Sequence, residues 1–202
     1  MLHRITRRIP YNCIMILCPP STAEIQAATA RGQVLLRLRG RGEIPIKRWQ
    51  QSGQSYSNDL MKVHNRPIGT DGCALTSFTM IADYLRGLDY DPGQVNNIVG
   101  DYACPFTYEL AGKRYSLELD VEVWTNQTVA QTAGYVADAI STHQRPVMIG
   151  MAKGDNDTHF VVAYAYSGEL VYIKDPASYD YPTLQDYTNQ GYVVNRIFTY
   201  KY

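Results

Sequence analysis

Long apolar runs are missing from this 202-residue chain. A membrane-spanning helix needs roughly 20 apolar residues in succession, and the longest candidate, Cys13 to Cys18, stops at Pro19-Pro20. The expectation is a soluble protein with no membrane span. Surplus charge is missing as well. Nineteen Lys and Arg balance nineteen Asp and Glu, so a nucleic-acid surface or a polybasic membrane anchor lacks the cationic excess it requires. Cysteine is sparse: four in a chain of this length make no disulfide framework, and no two form a Cys-x-x-Cys pair. Cys13 and Cys18 have no second pair of Cys or His ligands nearby, which argues against structural zinc. Phenylalanine is scarce too, four residues against seventeen tyrosines, a balance that favours β-strands and partly wet surfaces.

What is present reads as a globular chain. Hydrophobic residues make up 45% and charged residues 19%, enough apolar side chain to build a core. The length fits one main domain with an appendage. Residues 1–43 form the appendage: Arg4, Arg7 and Arg8, a short apolar patch, Ala28-Thr29-Ala30, then four more arginines among Gly32, Gly40 and Gly42. That outline resembles a secretory signal, but prolines break the apolar patch, and the expectation is a disordered or loosely docked extension. Within it, Val34 to Leu38 has the pattern of a short strand or helical turn.

Residues 44–202 read as one α+β domain. Leu75, Phe78, Ala82 and Leu85 fall on one face of a helix that opens at Cys73 and ends before Gly87. Val129, Ala133, Val136 and Ile140 repeat the pattern in a second helix that ends before Pro146. Strands follow at Pro146 to Met151, His159 to Tyr166, Leu170 to Lys174 and Tyr192 to Tyr200, separated by Gly- and Asp-rich turn signals. Helices first and an antiparallel sheet later define the class.

Three residues in this frame carry chemistry. Cys73 follows a glycine and opens a helix, where unpaired N–H groups and the helix dipole favour a thiolate. Alone, the position reads as readily as a small buried cysteine. His159 stands where the polar loop Gly154 to Thr158 meets the apolar run Phe160 to Ala163. Asp175, before Pro176, ends the next strand; by itself it is an ordinary turn residue. A hairpin around Ser167-Gly168-Glu169 brings His159 and Asp175 to the same end of neighbouring strands. There the carboxylate would accept the Nδ1 proton and leave Nε2 facing the sulfur.

The segment Gly72-Cys73-Ala74-Leu75-Thr76-Ser77, then His159-Phe160-Val161-Val162, then Asp175-Pro176 resembles the papain-like cysteine peptidases. Within them it is most similar to cysteine peptidase family 39, the bacteriocin-processing-like branch, in its stand-alone extracellular form. The resemblance covers about Ile44 to Tyr202. It implies a papain-like fold, with the nucleophile at a helix start packed on an antiparallel sheet that carries His and Asp. It implies Cys73 as nucleophile, His159 as general base and later acid, and Asp175 as the group that orients His159. An upstream glutamine would complete the oxyanion site. Gln51 is the match, with Gln50 and Gln54 open as replacements, because Pro67 occupies the place six residues before Cys73.

The activity implied is hydrolysis of a peptide or amide bond through a thioester, with no cofactor and no metal. Acyl transfer or deamidation by the same residues is an alternative, as is a catalytically silent binding module of the same fold. Peptide or protein substrates follow, peptidoglycan stem peptides among them, and the resemblance points to a secreted or extracellular location, with the cytoplasm left open. Three residues are set aside. His64 reads as a surface residue, and His143 as a cap on the second helix. Cys104 is a loop or buried thiol, since no helix starts at it. Tyr179, Tyr181 and Tyr187, after the Asp-Pro step, either edge a groove or pack against the sheet.

Overall fold

The computed structural model describes residues 40–155, 157–177 and 180–202. The readings of the signal-like outline, of Val34 to Leu38, of Cys13 and Cys18 and of Tyr179 lie outside the described residues. In chain order the elements are β1 (Arg41–Glu43), β2 (Leu60–Met61), β3 (Arg66–Pro67), α1 (Ile68–Asp71), α2 (Cys73–Arg86), α3 (Pro92–Val99), a 3₁₀ turn (Gly100–Tyr102), α4 (Tyr108–Arg114), β4 (Glu118–Val123), α5 (Val129–His143), β5 (Val147–Lys153), β6 (Asp157–Ser167), β7 (Leu170–Lys174), α6 (Leu184–Thr188) and β8 (Val193–Lys201). Among the described residues no helix is long and apolar enough to cross a membrane.

The two expected helices form where the periodicity places them, and local chemistry explains their ends. Gly87 closes α2 in the left-handed conformation, φ +62°, that glycine adopts without strain. Thr128 and Gln131 open α5 with reciprocal side-chain hydrogen bonds, and Gln144 stops it. Helix α3 is additional to the expected set. Asp91 and Gln94 form the same reciprocal cap around Pro92 at the first helical position.

The main sheet is antiparallel, in the order β1-β6-β5-β8-β4, with β7 on the other edge of β6. The expected strands are present to within a few residues. Residues Arg41–Glu43, assigned from the sequence to the extension, are part of this sheet and pair with Ser167 to Ala165 of β6. Both sheet faces are covered, which is why β5 and β6 read as continuous apolar runs instead of alternating ones. On one face Leu75, Phe78 and Ile81 of α2 pack with Met148, Phe160, Val162 and Phe198. On the other, Ala133, Val136 and Ile140 of α5 pack with Val147, Ile149, Val161 and Ile197. Phe78 is fully buried and meets Tyr115 and Tyr200 edge-on at 5.6 and 5.3 Å. Burying a ring of this kind stabilises the fold by about 2–3 kcal/mol. It fixes α2, and so Cys73, against the sheet.

Candidate active site

Cys73 is half-buried at the first residue of α2. Its placement depends on Gly72, which links α1 directly to α2: a Cβ there would lie 2.4 Å from the Ile68 carbonyl oxygen. Only glycine allows the step that close, and the helix start is presented without an intervening loop.

His159 and Asp175 meet through a register shift. At the β6–β7 turn Ser167 faces Leu170 and Ala165 faces Tyr172; beyond a bulge at Tyr164, Ala163 faces Ile173 and Val162 faces Lys174. One residue further, Asp175 comes opposite Val161 and so shares a sheet face with His159. Without the extra residue Asp175 would oppose Val162 and point away from it.

The resulting contact corrects one expectation. His159 Nε2, not Nδ1, lies 2.8 Å from Asp175 Oδ1. The two residues are diagonal across the pair, an offset of about 7–8 Å between backbones, and the ring nitrogen farther from the backbone bridges it. Cys73 is near enough to help raise the His159 pKa, and with Nε2 taken by Asp175 it is Nδ1 that remains for the sulfur. Burial disfavours the imidazolium, but the bonds and charges of Asp175 and Cys73 outweigh it and raise its pKa to about 9. Asp175 is 1% exposed. Burial pushes its carboxyl up, yet His159, the Tyr187 hydroxyl and the Ala177 N–H, 2.7 Å from Oδ1, hold it below the usual range. Tyr187, one of the three tyrosines noted after the Asp-Pro step, is a direct neighbour of Asp175. Its O–H donates to Asp175 Oδ2, and its ring lies 5.4 Å from the His159 ring.

The upstream segment is tied to the same place. Arg48 donates to the Asp175 carbonyl from Nε and Nη2 at 2.9 and 2.5 Å, and Gln50 Nε2 donates to it at 3.1 Å. The Gln51 N–H donates to the Pro176 carbonyl at 2.8 Å. The three candidate glutamines therefore differ by environment. Gln50 is held by Asp175, and Gln54 is exposed, reaching only the Ser52 carbonyl at 3.5 Å. Gln51 is 5% exposed, and its Nε2 donates at 3.2 Å to the carbonyl of Gly69, four residues before Cys73. That carbonyl sets which way the amide points, because the reverse would oppose two oxygens. The second Nε2 proton is left over. Trp49 locks the segment to α2 by donating to Asp83 Oδ2 at 2.8 Å.

The residues set aside stay apart from this cluster in character. Cys104 lies with its sulfur 3.9 Å from Nδ1 of the exposed His64, and burial pushes its thiol pKa up, the opposite of activation. His143 is the last residue of α5, 4.0 Å from Asp138. A groove of about 530 Å³ lined by Arg41, Glu43, Tyr164, Tyr166 and Tyr172 sits at the other end of β6 and holds no thiol. Among the described residues no three His, Cys, Asp or Glu side chains are grouped to hold a metal.

The Tyr187 contact has a measurable consequence. A carboxyl held low in the folded state adds stability that is complete above its unfolded value of about 3.9 and is lost as pH falls through the folded value. Tyr187→Phe keeps the ring and removes one of the donors that hold Asp175 low. Its acid-unfolding midpoint is expected to move to higher pH, with about 1–2 kcal/mol lost at neutral pH. Acid titration followed by circular dichroism checks this; an unmoved midpoint would mean the hydroxyl contributes nothing to the carboxylate.

No curated protein matches the chain. A family model does, over residues 44–195, a span that contains Arg48, Gln51, Cys73, His159, Asp175 and Tyr187 alike. The chain belongs to the Peptidase C39-like family, whose model carries with it a function of the cysteine peptidase type.

Proposed function

We propose that the protein hydrolyses a peptide or amide bond with Cys73 as nucleophile, His159 as proton carrier and Asp175 as the residue that orients and charges His159. The observation that carries the reading is the 2.8 Å contact of His159 Nε2 with the buried Asp175, on a histidine whose pKa Asp175 and Cys73 together raise to about 9. An imidazolium beside a thiol favours the thiolate, the form that attacks. A nucleophile at a helix start, packed on an antiparallel sheet that bears both partners, supports the papain-like form of the fold.

The steps follow from these groups. The Cys73 thiolate adds to the carbonyl carbon, and the negative charge moves to the carbonyl oxygen. The second Gln51 Nε2 proton and the Cys73 backbone N–H are the donors proposed for that oxygen. Collapse breaks the C–N bond as His159 Nδ1 delivers its proton to the leaving amine, and a thioester remains. The now neutral imidazole takes a proton from water, the hydroxide equivalent adds to the thioester, and Cys73 leaves as thiolate with His159 again charged.

Brief substoichiometric treatment with iodoacetamide at about pH 6, well below the free-thiol pKa of about 8.5, tests the reading. Mass spectrometry is expected to find Cys73 labelled ahead of Cys13, Cys18 and Cys104, and the preference lost in His159→Ala. Equal labelling of the four, or selective labelling that survives in the histidine variant, overturns it.

A further inference from the structure

The sheet face against which Cys73 packs carries a cation, Arg196, that makes no ion pair among the described residues. Phe160, Gly150 and Arg196 are opposite one another across β6, β5 and β8. Gly150 makes that row possible: a Cβ there would lie 2.6 Å from the Phe160 ring and 3.0 Å from Arg196 Cβ. The Arg196 guanidinium stands 5.5 Å from the ring centres of both Phe160 and Trp124 and is near enough to the Tyr108 hydroxyl to oppose the rise that burial imposes on its pKa. Tyr108 joins the rings together, 4.0 Å from Phe198 in a stack and 5.7 Å from Trp124. Cys73 and Tyr108 pack against the same buried cluster that contains Phe160 and Phe198. Trp124 is 54% exposed, so the frame opens to solvent.

Among the described residues Arg196 makes no ion pair. Glu122, the acid of this patch, uses Oε1 to accept from the Trp124 indole. A half-buried guanidinium walled by rings is weakly hydrated and keeps its fork of donors for a planar anion. The low-dielectric walls strengthen its pull on a carboxylate, and the exposed indole offers apolar contact to the methylenes behind one.

We propose that Arg196, framed by Phe160, Trp124 and Tyr108, is a specificity subsite beside Cys73 that takes the carboxylate of an acidic side chain flanking the scissile bond. The proposal rests on Cys73 being the nucleophile. Glutamate suits the subsite better than glutamine, which offers the guanidinium one neutral oxygen in place of two charged ones.

Peptidyl vinyl sulfones that differ only in Glu, Gln or Lys at one flanking position test it, because the vinyl sulfone alkylates the thiol and needs no turnover. The rate of Cys73 adduct formation, read by mass spectrometry, is expected to favour Glu over Gln by roughly ten- to hundredfold at one position. Arg196→Gln should collapse that ratio towards one, and Arg196→Lys should keep part of it. Ratios are taken within each variant, so a change in overall reactivity cancels. A wild-type ratio near one at every position scanned sinks the subsite, as does a Glu preference that persists in Arg196→Gln. Iodoacetamide labelling of the same wild-type sample separates the two readings. Selective labelling of Cys73 without a Glu preference removes the subsite alone, whereas unselective labelling removes the nucleophile on which it rests.

Discussion

A Cys73→Ala protein is expected to fold as the wild type does and to lose turnover by roughly 10⁴-fold or more, the scale seen when a covalent nucleophile is deleted. Both halves of that expectation come from the same position. Cys73 is only half-buried and opens α2, so removing the sulfur leaves little cavity, and alanine is the strongest helix former available. Stability should change by less than about 1 kcal/mol. The chemistry has no such reserve. Without the sulfur no thioester forms, and the remaining groups can only polarise a carbonyl for water. Cys104 does not replace it, since burial pushes that thiol up and its histidine neighbour is exposed. Urea unfolding and a peptide-hydrolysis assay on matched samples give the two readouts. Turnover within tenfold of the wild type by a folded Cys73→Ala protein would remove Cys73 from the mechanism.

How much of this was legible in the sequence differs by residue, for physical reasons. Helix α2 was, because its period, the glycine before it and the left-handed glycine after it are all local signals. So was the β6–β7 hairpin, with Gly168 in its two-residue turn. The bulge at Tyr164 was not: no glycine or proline marks it, and it is the bulge that puts Asp175 on the face of His159. Neither was the nitrogen that meets Asp175, which depends on a diagonal offset between strands. Strand β4 has the alternation of a strand, but Glu118, Asp120 and Glu122 occupy its outward positions, and its apolar half is too short to stand out. The choice among Gln50, Gln51 and Gln54 needs burial, since the three share one chemistry. Tyr187 and Arg48 are contacts 12 and 127 residues from Asp175 along the chain, and seventeen tyrosines give no sign of which one donates.

Asp175→Asn is the change expected to separate orientation from charge. The amide keeps the carboxylate's shape: its oxygen can still accept from His159 Nε2 and the Ala177 N–H, and its NH₂ can donate to the Tyr187 oxygen that now donates to Oδ2. Folding should survive, where Asp175→Ala would strand three buried donors at about 1–3 kcal/mol each. The negative charge is what is lost. Burial pulls the His159 pKa down and Asp175 is first among the groups that pull it up, so in the variant the value falls from about 9 back towards the ordinary 6.5. A raised histidine pKa acts below the folded value: the imidazolium the mechanism needs is complete below it and disappears as pH rises through it. The basic limb of kcat/KM should therefore stand near pH 9 in the wild type and move acidward by about two units in Asp175→Asn. Each unit is tenfold in the ratio of imidazolium to imidazole, so the loss is small near pH 6, roughly tenfold near pH 8, and approaches a hundredfold only above pH 9. A uniform loss at all pH values would assign Asp175 to positioning alone. A basic limb that stays near 9 in the asparagine protein would mean that another group, and not this carboxylate, holds the charge on His159.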